Sequence, residues 1–217
     1  MGIEDEKIIQ FPLNRIKPIS IRSKPRSSLA EVVSEEPIFL SRVLLTEEDR
    51  VLVLKQCEQQ GATSPQEVAN FLAAYIDAKK FALTNGISRI TPGETLHLLK
   101  ILGYMVCPEK NQNGFRIIPA SFSSGNRAVD SHAVESAVEK WAEVYTHGIV
   151  NPDTMYTEFE NIHPFEDGNG RVGHLMWAID ITRRSGDWPM RLPPDVFNPN
   201  SGYKKPRYES SFGEVED

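Results

Sequence analysis

His163-Pro164-Phe165-Glu166-Asp167-Gly168-Asn169-Gly170-Arg171 is the stretch from which the rest of the chain can be placed. It holds a titratable base, a carboxylate, a glycine-rich turn and a permanent positive charge in one short run. Val172, Leu175, Met176 and Ile179 follow at helical spacing, so the Gly168-Asn169-Gly170 turn is predicted to lie where a helix begins. The first turn of a helix offers unpaired N–H groups and the positive end of the dipole, which together bind phosphate. Glycine lets the backbone approach an anion closely and adopt positive φ, forming a nest of N–H groups. Arg171 adds a planar fork that can hold two phosphate oxygens. Taken singly, each residue has an ordinary structural use; their order points to chemistry on phosphates.

Working outward, Asn151-Pro152 opens a helix with Met155, Phe159 and Ile162 on one side, and this helix delivers His163 at its C-terminal end. The motif thus joins two helices expected to be buried, which would hold it rigid. Val134, Ala137, Val138, Trp141, Val144 and Tyr145 form another helical stripe. Ser64-Pro65-Gln66-Glu67 and Thr91-Pro92-Gly93-Glu94 each combine an N-cap hydroxyl, Pro at the first helical position and Glu at the third, the capping-box pattern. The first leads into Val68, Phe71, Leu72, Tyr75 and Ile76, the second into Leu96, Leu98, Leu99 and Ile101. Thr46 is predicted to cap a further helix with Val51, Leu54 and Cys57 on its core face. Trp141 and Phe159 read as interior packing residues rather than cofactor contacts.

The 217 residues, 40% of them hydrophobic, suffice for one well-buried domain. Dense helical patterning runs over 45–191, flanked by an N-terminal extension, 1–44, and a C-terminal tail, 192–217. Arg15, Lys17, Arg22, Lys24 and Arg26 stand among prolines and serines with no acidic residue between them; that arm is expected to be mobile and solvated. A net charge of −6 argues against a nucleic-acid binder. No apolar run is long enough to span a membrane, and no signal-peptide core is present. Cys57 and Cys107 lie in or beside apolar stretches without metal-ligand spacing, which fits reduced thiols and a cytoplasmic location, with delivery into another cell left open. His97, His132 and His147 read as structural, and no zinc site is expected.

The nine-residue motif resembles the signature of the Fic (Fic/Doc) family, His-Pro-Phe-x-Asp/Glu-Gly-Asn-Gly-Arg-x-x-Arg, with every defined position matched except the last, where His174 stands. The resemblance is specific from about Thr91 to Gly186. It implies a mainly α fold, a Fic-like helical bundle with a small β-hairpin flap near the active site, and transfer of AMP from ATP to a Ser, Thr or Tyr hydroxyl of a target protein with Mg²⁺. By the same resemblance His163 would be the general base, Asp167 the metal ligand, Phe165 the apolar anchor beneath the loop, Gly168, Asn169 and Gly170 the phosphate cradle, and Arg171 the catalytic cation. Phe165 and His174 join these residues in the expected nucleotide site, since His174 still projects to nearly the same helix face as Arg171. Gly114-Phe115-Arg116-Ile117-Ile118-Pro119 looks like the flap, where main-chain pairing would align a target segment near Gly114, Arg116 and Ile117.

The family's second Arg commonly pairs with an inhibitory Glu. With His174 in its place that switch is expected to be altered or absent, and an inhibitory partner protein is a further implied partner. Ser27 to Glu31 and Ser210 to Glu214 have the switch spacing, but Val32 and Val215 follow where the family has Gly or Asn. Two alternatives stay beside AMP transfer. One is a Fic-type transferase with another donor or outcome, such as UMP, phosphocholine or phosphate, although Gly170 argues against phosphate transfer. The other is a nucleotide-binding module without turnover.

Overall fold

A computed structural model describes residues 45–85, 90–120 and 128–196. The N-terminal extension, both candidate switch segments and the tail after 196 lie outside the described residues. The helices are α1 (Glu47–Gln59), α2 (Pro65–Asn85), α3 (Pro92–Val106), the single turn α4 (Pro108–Asn111), α5 (Val134–His147), α6 (Pro152–Ile162) and α7 (Asn169–Ser185), with a 3₁₀ turn at Ser131–Ala133. Among the described residues there is no strand.

The capping signals lie where the sequence puts them. Thr46 and Asp49 form a reciprocal capping box at α1, and Thr91 and Glu94 one at α3. At α2, Ser64 Oγ accepts from the Glu67 N–H while the Glu67 carboxylate accepts from Ser64 N–H. Asn151 caps α6 by accepting from Asp153 N–H.

Helix α7 lies at the centre. Every residue from Asn169 to Asp180 is buried, because α2, α3 and α6 all pack on it. A helix enclosed on all sides cannot be stabilised by one apolar stripe alone; its small residues are where neighbours come closest. At Gly173 a Cβ would lie 2.6 Å from Glu160 Oε1 and 3.0 Å from the Phe159 and Tyr156 rings. The α5 stripe is the core face expected of it: Trp141 stacks on Tyr145 at 4.7 Å, and Tyr145 donates its hydroxyl proton to the Met176 carbonyl of α7.

The buried face of α1 is not the one anticipated. Val51 and Leu54 are exposed, and Asp49, Leu52, Val53, Gln56 and Cys57 face inward. Two polar residues take core positions because each has partners there. Asp49 accepts from Lys79 Nζ at 2.6 Å and from Tyr75 Oη at 2.7 Å, and Tyr75 in turn accepts from Trp188 Nε1 at 2.6 Å. Burial pushes the Asp49 carboxyl up, but these bonds outweigh it and hold it below the usual range. The network fastens the chain beyond α7 to α1 and α2. Both cysteines are free, Cys57 buried and Cys107 half-buried. No helix among the described residues is long and apolar enough to cross a membrane.

Phe165 is fully buried, and its ring fills a notch in α3: a Cβ on Gly103 would fall 2.3 Å from its Cε1. Burying a ring of this kind contributes roughly 1.5–3 kcal/mol. We expect Gly103→Ala to lose about 1–3 kcal/mol by overpacking. Urea unfolding would show this as a lower midpoint at unchanged slope; an unaltered midpoint would mean that the notch is not tight.

Candidate active site

The loop from His163 to Gly168 is held from three directions. His163 closes α6 in the left-handed region, φ 52° and ψ 60°, with its N–H donating to Phe159 O at 2.9 Å. A non-glycine residue there carries backbone strain, which persists only where the surroundings impose it. They do so through Arg116, whose side chain is buried. Its Nε donates to His163 O at 2.7 Å, Nη2 to Ile162 O at 3.2 Å and to Val129 O, and Nη1 to Ile118 O at 2.8 Å, while Arg116 N–H donates to Pro164 O at 2.8 Å. The Arg116 side chain is therefore a clamp on the backbone of the expected base. The residues after it, Ile117 and Ile118, are exposed.

Asn169 closes the loop from the other side. Its Oδ1 accepts from Phe165 N–H and its Nδ2 donates to Phe165 O, both at 2.8 Å. The side chain is committed to the fold, so its part in a phosphate cradle is limited to its backbone. Phe165 likewise lies beneath the loop in the Gly103 notch rather than in a ligand site.

Gly168, φ 80°, precedes α7 without any side-chain cap, and a Cβ there would meet Val106 Cγ1 at 2.6 Å. A Cβ on Gly170 would meet Gln60 Oε1 at 2.2 Å, and Gln56 Nε2 donates to Gly170 O at 3.3 Å. The end of α1 thus packs against the glycine turn. Arg171 lies at the same uncapped terminus with its side chain 2% exposed. Its Nη2 donates to Asp167 Oδ1 at 3.1 Å, whereas Nε and Nη1 have no hydrogen-bond partner. Buried donors without partners are costly. Two such donors beside a bare helix N-terminus form a place for an anion.

Asp167 is shared between two cations, since its Oδ2 accepts from Lys110 Nζ at 2.6 Å. Burial works against the charge, but Lys110 and Arg171 hold the carboxyl below its usual range. Glu67, the capping residue of α2, places Oε1 4.0 Å from Arg171 Nη2. Neither Lys110 nor Glu67 was expected at the site. Glu67 was visible only as a cap, and Lys110 had no local signal. Among the described residues no group of three or more His, Cys, Asp and Glu is placed to hold a metal. One half-buried carboxylate fits Mg²⁺, which usually takes one or two carboxylates together with substrate phosphates and water.

His174 is not at the site. It is 1% exposed, with Phe71, Tyr75 and Trp177 rings around it at centroid distances of 6.0 to 6.2 Å. Neither ring nitrogen has a hydrogen-bond partner. Burial drives its pKa down to about 3, so it is a neutral core residue. Helical spacing does put His174 near the face of Arg171, but α2 packs over that part of α7 and encloses the ring.

Residues 120–179, which include α5, α6 and the first part of α7, match the Fic/DOC family model. This part of the chain is similar to the Fic/DOC domain. That domain points to a Fic-type transferase. No curated protein matches the chain.

Burial lowers the His163 pKa below the ordinary histidine value, more than the bond to the Glu160 carbonyl and the nearness of Asp167 raise it. The imidazole is therefore neutral at pH 7. In the imidazole NMR titration we expect a midpoint below 6.5; a midpoint at or above it would contradict the burial seen here. Glu160 of α6, facing Gly173, has no partner at Oε1, and burial raises its pKa to about 8. A raised carboxyl pKa stabilises the fold fully below the unfolded value, and this is lost as pH rises from about 4.5 to about 8. Glu160→Gln should accordingly raise the melting temperature at pH 8, with the gain fading towards pH 4. A gain independent of pH would rule out a protonated Glu160.

Proposed function

We propose that the protein is a protein adenylyltransferase, moving AMP from ATP to a Ser, Thr or Tyr hydroxyl of a target protein. The observation that carries this reading is the pair of unpartnered, buried Arg171 donors at the uncapped start of α7, on the same short loop as a neutral His163. An anion-binding terminus alone would serve a binding module. A base of lowered pKa beside it serves transfer.

In this reading the acceptor hydroxyl gives its proton to the His163 imidazole as its oxygen attacks the α-phosphorus. The bond from that phosphorus to the pyrophosphate oxygen breaks, pyrophosphate departs, and the imidazolium returns its proton to solvent. The first-turn N–H groups of α7, from Asn169 to Arg171, hold the phosphates, and Arg171 neutralises charge that develops during transfer. Mg²⁺ on Asp167 would supply further charge neutralisation at the phosphates when bound. The target segment is proposed to lie along Ile117 and Ile118, beyond the Arg116 clamp. A cytoplasmic site of action fits ATP as donor.

One observation favours a second reading. Because His174 is enclosed by α2, it offers nothing to the outer phosphates, so a Fic-type transferase using another donor, such as a uridine or choline nucleotide, is the alternative. Intact mass spectrometry after incubation with Mg²⁺, each nucleotide and a cell extract separates the two by the mass added. We expect AMP addition that His163→Ala reduces by about 10²- to 10⁴-fold, the range for loss of a general base, with ATP binding nearly unchanged. Equal transfer by His163→Ala would sink the assignment of the base.

A further inference from the structure

Asp167 has one cation on each oxygen: Lys110 Nζ at 2.6 Å from Oδ2 and Arg171 Nη2 at 3.1 Å from Oδ1. The two cations are held differently. Arg171 is buried in the centre of the bundle, whereas the Lys110 side chain is 55% exposed. The backbone around Lys110 is fixed, because the next residue, Asn111, donates from Nδ2 to both Gly103 O and Asp167 O at 2.9 Å. Lys110 therefore has an anchored base next to the loop and a flexible four-carbon stem carrying a compact charge.

We infer that Lys110 is a mobile ligand of this site: it occupies the Asp167 carboxylate when no divalent cation is there, and passes to the substrate's phosphates when one takes its place. The inference rests on the reading of Asp167 as the metal ligand. The charges require the exchange. A divalent ion on Asp167 with Lys110 still bound would put three positive groups around one carboxylate. Repulsion at such distances opposes that. A half-exposed ion pair is readily broken. Once released, the ammonium remains tethered beside the uncapped α7 terminus and the unpartnered Arg171 donors, where a polyphosphate brings the negative charge that the ion pair no longer supplies. Lys110 so becomes a determinant of how the site holds the nucleotide, and it supplies the outer cation that the buried His174 does not.

The test uses the full-length protein and two binding measurements. Free Mn²⁺ is followed by electron paramagnetic resonance without nucleotide, and ATP affinity is followed in saturating Mg²⁺. We expect Lys110→Met to bind Mn²⁺ about three- to tenfold more tightly, as removal of a competing and repelling charge should allow, and to bind ATP more weakly by a similar factor. Lys110→Arg should restore ATP affinity in part. Asp167→Asn serves as control, since it should lose Mn²⁺ binding in both backgrounds. If Asp167→Asn loses the ion but Lys110→Met binds it as wild type does, the exchange is refuted while Asp167 remains the metal ligand. If ATP affinity does not fall, the phosphate half is refuted. Mn²⁺ binding indifferent to Asp167→Asn would overturn the metal assignment and, with it, this inference.

Discussion

Everything at the site depends on the loop between α6 and α7 being closed on itself before any ligand arrives. The Asn169 carboxamide does this by meeting both the N–H and the carbonyl of Phe165. Such bonds give a net contribution of about 1 kcal/mol each. Their greater value is geometric, because a loop with its peptide groups already paired cannot drift toward a conformation in which Gly168 loses its positive φ. The Phe165 ring in the Gly103 notch and the Arg116 clamp on His163 fix the same few residues from α3 and from the segment after α4. A preorganised site of this type loses little order on binding.

The strain at His163 fits within that frame. A left-handed histidine at the end of a helix is unfavourable in isolation, and the Arg116 bonds to the Ile162 and His163 carbonyls offset it. The arrangement places a titratable ring at a helix end, while the start of the following helix supplies bare N–H groups. Base and anion cradle are thus two consequences of one chain reversal. The fold needs only a single short loop to bring them together.

Helix starts were legible in the sequence because a capping box is a local code: Thr46 with Asp49, Ser64 with Glu67 and Thr91 with Glu94 act over three residues. The motif was legible for a similar reason, since its residues are contiguous. What escaped reading depends on distant partners. Asp49 lies inside because of Lys79, 30 residues on, and Gln56 because of Gly170, 114 residues on; no periodicity of α1 encodes either, and so Val51 and Leu54 were assigned to the wrong face. Lys110 meets Asp167 across 57 residues. His174 shows the reverse error, since helical spacing placed it correctly around the axis of α7 but could not show that α2 covers that face. The expected hairpin has no strand among the described residues, and the Arg116 side chain is drawn inward by carbonyls that only the fold brings near it.

Gln60 and Gly170 carry one last consequence. The Gln60 carboxamide occupies the space where a side chain at 170 would begin, but it is the exposed end of a flexible side chain and not backbone. A larger residue in the loop is accommodated by rotating that glutamine away into solvent, without its loss. The end of α1 therefore covers position 170 with a side chain that can yield, whereas Val106 confines Gly168 from within the core.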